Sequence, residues 1–136
     1  MYRFDGFTEK ANNALNLALT SAEDMGHTYI GSEHIILGLL KEISGVAAEV
    51  LSKLGVTEEA FTKCMEEKIG TGSRTSLSLD DFTPRSKRIL QIAVMEASRL
   101  NHNYVGTEHL LIAVLEEGDS YGVRFLRMLG VRQNDI

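Results

Sequence analysis

The chain has 136 residues, 43% apolar and 24% charged, with one proline, one cysteine, no tryptophan and a formal net charge of −5. A chain this long buries roughly two-thirds of its unfolded surface, enough for a core without metal or disulfides, and the lone Cys64 favours a reducing, cytoplasmic setting. No run approaches the roughly 20 apolar residues of a membrane span, Met1 to Gly6 has no apolar leader segment, and 19 acids against 14 lysines and arginines argue against a nucleic-acid partner.

The first element is predicted as a helix opened by Thr8 as N-cap, carrying Ala11, Ala14, Leu15, Ala18, Ala22 and Met25 at helical spacing, and ended by Gly26. A short connector, His27 to Gly31, leads to Ser32, read as the next N-cap. Ile35, Ile36, Leu37, Leu39 and Leu40 then make a helix apolar on most sides, which predicts a central position. A third helix is predicted from about Val46 to Leu54, stopped by Gly55, and Thr57 caps a fourth with Ala60, Phe61, Cys64, Met65 and Ile69. Gly70 to Ser78 is rich in Gly, Ser and Thr and reads as a flexible connector, the most mobile internal segment. Thr83-Pro84 then opens a fifth helix with proline at its first position, Asn101 stands where Gly26 did, and Thr107 is read as the cap of a second central helix.

These signals recur because the chain is a tandem duplication. One ungapped shift lays Phe7-Thr8 on Phe82-Thr83, His27 through His34 on His102 through His109, and Leu54-Gly55-Val56 on Leu129-Gly130-Val131. About sixteen of roughly fifty aligned positions are identical. The expected fold is all-α: two tandem four-helix repeats (7–69 and 82–136, linker 70–81) with pseudo-twofold symmetry. The last helix of the second repeat is truncated, so the sequence reads as a piece of something longer.

Two His-x6-His pairs, His27 with His34 and His102 with His109, fit no standard zinc spacing, and a hydrogen-bonding role beside a turn is favoured over a metal. Cys64 beside Met65 reads as a buried thiol. There is no phosphate-binding G-x-x-x-x-G-K-[ST] loop, G-x-S-x-G elbow or H-E-x-x-H, so no catalytic residue is assigned and a binding role is expected. The repeated feature is [Ser/Thr]-Glu-His: Ser32-Glu33-His34 and Thr107-Glu108-His109. Glu33 and Glu108 read either as first-turn acids that complement the helix dipole or as grips for a guanidinium beside a phosphate-attracting helix start. Thr8, Lys10, Thr83, Arg85, Lys87 and Arg88, at the starts of the first helix of each copy, would add hydroxyls and positive charge if the helix starts lie together.

Phe-Thr at each first helix, Gly-[Ser/Thr]-Glu-His before an apolar helix, the Leu-Gly-Val ends and Thr-Pro-Arg in the second copy resemble the double repeat of the Clp N-terminal domain, most nearly that of ClpC-type AAA+ unfoldases. The resemblance implies an accessory domain that receives unfolded or phosphoarginine-marked substrates and adaptors of the MecA kind for a ClpP-type peptidase. It implies no cofactor in this domain, ATP belonging to ATPase modules elsewhere. It also implies that Glu33 and Glu108 bind the phosphoarginine guanidinium, with Thr8 and Thr83 on the phosphate side; Ser32, Thr107, Lys10, Arg85 and Lys87, taken from the residue pattern itself, complete the expected substrate-binding set. Two departures stand out: Gly6 where many relatives carry arginine, and no Pro-Arg in the first copy. With Thr8 and Lys10 taken as neighbours of Glu33, and Thr83, Arg85 and Lys87 as neighbours of Glu108, the Glu108 site is expected to be the tighter. The isolated chain is expected to be monomeric.

Overall fold

The computed structural model describes residues 2–132. It is built from α1 (Glu9–Asp24), α2 (Ser32–Lys41), α3 (Val46–Lys53), α4 (Glu58–Lys68), a 3-10 turn (Leu79–Asp81), α5 (Pro84–Arg99), α6 (Thr107–Glu117) and α7 (Tyr121–Met128). The all-α duplication is as expected; residues 133–136, assigned to the end of the second repeat, lie outside the described residues.

Caps set the helix starts. Thr8, Thr57 and Thr83 each accept a hydrogen bond from the third residue onward, the amides of Ala11, Ala60 and Ser86, and Pro84 occupies the first position of α5. Gly26 ends the turn after α1 at φ 77°, and its counterpart Asn101 takes the same left-handed backbone at φ 60°, a conformation asparagine tolerates better than most residues. The expectation for Ser32 and Thr107 needs correction. The N-caps are Gly31 and Gly106, and the two hydroxyls turn away to other helices.

α2 is buried from Ser32 to Leu40, as its apolar periodicity predicts, and α6 from Leu110 to Leu115 is largely so. Each packs on the preceding long helix of its own repeat, while α2 also packs on α7 of the other repeat. Phe61 on α4 meets Phe125 on α7 edge-on at 5.9 Å, so both repeats feed one continuous core.

Two short parallel bridges cross the repeats. The Thr8 amide donates to the Val105 carbonyl at 2.9 Å and the Thr83 amide to the Ile30 carbonyl at 3.1 Å. Each leading Phe-Thr is thereby laced onto the other repeat, next to the start of the other repeat's central helix.

The 70–78 connector, expected to be flexible, is hydrogen-bonded to the end of α1. The Gly72 amide donates to the Met25 carbonyl, the Thr75 amide to the Glu23 carbonyl and the Thr75 hydroxyl to the His27 carbonyl, while the Glu23 carboxylate accepts from the Leu77 amide. The end of α1 exposes carbonyls, and the glycine-rich chain satisfies them.

Candidate functional site

Three helices begin at one open cleft of about 430 Å³, lined by Tyr29, Ser32 and Glu33 at the start of α2, Thr83 and Arg85 at the start of α5, and Asp119, Tyr121 and Arg124 around the start of α7. Convergent helix starts concentrate free amides and positive partial charge, a setting that suits an anion.

Glu33 supplies the opposite charge. It is only 1% exposed, and its carboxylate folds back over Gly31, so closely that a Cβ at that position would overlap its Oε1. The same fold-back joins Glu108 to Gly106, which explains why glycine precedes [Ser/Thr]-Glu-His in both copies. The Tyr29 hydroxyl donates to Glu33 Oε2 at 2.9 Å. Burial pushes the Glu33 carboxyl above the ordinary carboxylate range, opposed by its own backbone amide and by Tyr29. Burial and the neighbouring Glu33 likewise raise the Tyr29 phenol.

The cations are held in place. Arg85 donates to the Asp119 carbonyl at 2.8 Å and pairs through Nε with Glu117 at 3.3 Å. Arg124 spans both Asp119 oxygens at 3.3 Å and lies over the Tyr121 ring, 5.9 Å from its centroid. The Arg124 guanidinium holds the Asp119 carboxyl below its usual range.

Ser32 and Thr107 are structural struts. Ser32 Oγ accepts from the Gly122 amide at 2.8 Å and Thr107 Oγ1 from the Ala47 amide at 3.2 Å, fixing the starts of α7 and α3 against the central helices. Thr8 and Thr83 cap α1 and α5. Lys87 is exposed and does not line the cleft.

The histidines form a chain. The Gly31 amide donates to His34 Nδ1 at 2.9 Å, which leaves Nε2 as the protonated nitrogen; it donates to His27 Nδ1 at 2.7 Å, and His27 Nε2 donates to the Gly70 carbonyl at 2.8 Å. His34, third residue of its helix, thus does for the cap amide what Glu or Gln does in a capping box. Gly106, His109 and His102 repeat the first two links. Among the described residues no group of three or more His, Cys, Asp or Glu is placed to hold a metal.

The structure corrects the pairing of site residues. Thr83 and Arg85 lie with Glu33, and the bridge from Thr8 to Val105 sets Thr8 beside the other central helix, that of Glu108. Lys10 reaches the Ser44 carbonyl, the counterpart of the Arg85 contact with Asp119. Each site therefore takes its glutamate from one repeat and its threonine and cation from the other. Sequence reasoning did not single out Tyr29, Asp119, Tyr121 and Arg124. Tyr29 left a signal, since Tyr104 repeats it in register; Asp119, Tyr121 and Arg124 left none, because Ser44, Val46 and Glu49 stand at their positions in the first copy.

The Clp repeat (R) N-terminal domain model matches residues 6–129. The negative regulator of genetic competence ClpC/MecB of Bacillus subtilis (strain 168) is 43% identical over 131 residues, 96% of this chain and 16% of that protein. The chloroplastic chaperone protein ClpC1 of Oryza sativa subsp. japonica is 42% identical over 133 residues, 98% of this chain and 14% of that protein. The chain thus spans about one-sixth or less of the length of these relatives. The solved N-terminal domain of the chaperone ClpD from Arabidopsis thaliana superposes with a TM-score of 0.80 at 25% identity, covering 98% of this chain and 90% of that one. The ClpV N-domain solved with a VipB peptide shares the fold, with a TM-score of 0.70 at 17% identity over 99% of this chain and 88% of that one. With its family model covering nearly the whole duplication and its crossed helix starts set on that fold, the chain belongs to the Clp N-terminal domain family.

Proposed function

We propose that this chain is a recruitment domain of a Clp ATPase in the cytoplasm, delivering bound substrates or MecA-like adaptors to an unfoldase and its ClpP-type peptidase, and that the Glu33 cleft reads phosphoarginine. The observation that carries the reading is a buried carboxylate facing the same cleft as two arginines and three helix starts. Phosphoarginine carries a guanidinium and a phosphoryl group a few bonds apart. Glu33 offers the guanidinium an acceptor already desolvated and hydrogen-bonded, so ligand binding supplies the cation that the buried carboxylate lacks. Arg85, Arg124 and the positive N-terminal end of α5 face the phosphoryl oxygens.

Calorimetric titration with free phosphoarginine tests this. Binding is expected, with arginine and phosphoserine each much weaker, and Glu33→Gln is expected to cost about 1.5–3 kcal/mol, roughly ten- to hundred-fold in affinity, with little change in melting temperature. No binding at millimolar ligand would leave a domain that docks adaptors through its helix faces alone.

A further inference from the structure

The two pseudo-equivalent sites differ in the residues that would meet an anion. In the Glu33 cleft the charged groups are Glu33, Arg85, Asp119 and Arg124, two of each sign, and Arg124 is 56% exposed at the mouth. At the corresponding positions around Glu108 stand Lys10, Ser44 and Glu49. Glu49 puts an acid at the helix position of Arg124, and Lys53 is its ion-pair partner at 3.4 Å. Lys10 is tied to the Ser44 carbonyl at 2.9 Å as a point charge without the paired donors of a guanidinium. Val46 replaces Tyr121, which removes the ring beneath the Arg124 guanidinium.

Building on the phosphoarginine reading, we infer that this chain has one phosphoarginine site and not two, and that Arg124, seated by Asp119 and Tyr121, is the residue that decides between them. The Glu108 site keeps the carboxylate for a guanidinium but sets Glu49 where the phosphoryl group needs a cation. The inequality runs opposite to the one expected from sequence, because the arginine-bearing helix start belongs to the Glu33 cleft.

Calorimetry of the 136-residue chain with free phosphoarginine reads the stoichiometry directly. One equivalent is expected; Arg124→Ser weakens it at least ten-fold, Glu33→Gln weakens it roughly ten- to hundred-fold, and Glu108→Gln leaves it unchanged. The Ser44→Asp, Glu49→Arg double variant is expected to raise the stoichiometry to two, with thermal melts confirming that each variant folds. Two equivalents in the unsubstituted chain, or a loss with Glu108→Gln as large as with Glu33→Gln, would overturn the inference while leaving phosphoarginine recognition intact. A stoichiometry of one in the double variant would overturn the assignment to these positions, and absence of all binding would overturn both readings.

Discussion

At residue scale, the histidine chains tie stability to pH. Burial and the neighbouring His27 push His34 down to about 3, and burial lowers His109 as well. Both folded values lie below the unfolded value near 6.5, so the unfolded chain binds more protons in the interval and stability falls as pH drops below about 6.5. We expect the melting temperature to decline from pH 7.5 to pH 5; a flat profile would contradict the neutral relay. Glu33 has its folded value raised and works in the opposite sense at lower pH, so the decline should persist in Glu33→Gln. The paired histidines and glutamates were legible because each occurs twice in register. Their partners were not, since a repeat comparison says which residues are equivalent but not which copy they face.

At the scale of single elements, the helix ends make opposing predictions. Gly26→Ala places a Cβ at positive φ and against the Gly72 backbone, so denaturant unfolding should show a loss of more than about 1 kcal/mol. Asn101→Gly at the equivalent position relieves the same backbone preference and should be close to neutral or slightly stabilising. Ser32→Ala leaves the buried Gly122 amide without its acceptor, a cost of about 1–3 kcal/mol read by denaturant unfolding. Helix boundaries were readable from Thr8, Thr57, Thr83, Pro84 and the glycines because capping is local chemistry. Ser32 and Thr107 were misassigned because their acceptors serve donors from the far repeat, a long-range contact that spacing does not encode. The hydrogen bonds of the connector were not legible for a related reason: composition registers the Gly, Ser and Thr of Gly70 to Ser78 but not the carbonyls at the end of α1 that the segment binds.

For the whole molecule, the shared core predicts cooperative unfolding of both repeats. Phe125→Ala, which opens the α4 to α7 contact, should cost about 3–5 kcal/mol and lower one common transition followed by circular dichroism and by hydrogen exchange; separate transitions for the repeats would contradict the shared core. Slow exchange is also expected at the Gly72, Thr75 and Leu77 amides, whose acceptors lie at the C-terminal end of α1 and its cap residue Met25. The net charge of −5 and the mutual burial of the repeats favour a monomer, to be checked by light scattering at micromolar concentration.

The central claim is that a binding cleft is assembled across the repeats, with the glutamate from one and the threonine and arginines from the other. Backbone amide NMR shifts during titration with phosphoarginine test it most directly. Perturbations should appear together at Ser32 and Glu33, at Arg85 and Ser86, and from Tyr121 to Arg124, saturating with one affinity. Perturbation of Ser32 and Glu33 together with Glu9 to Ala11, while the starts of α5 and α7 stay silent, would contradict the crossed assembly.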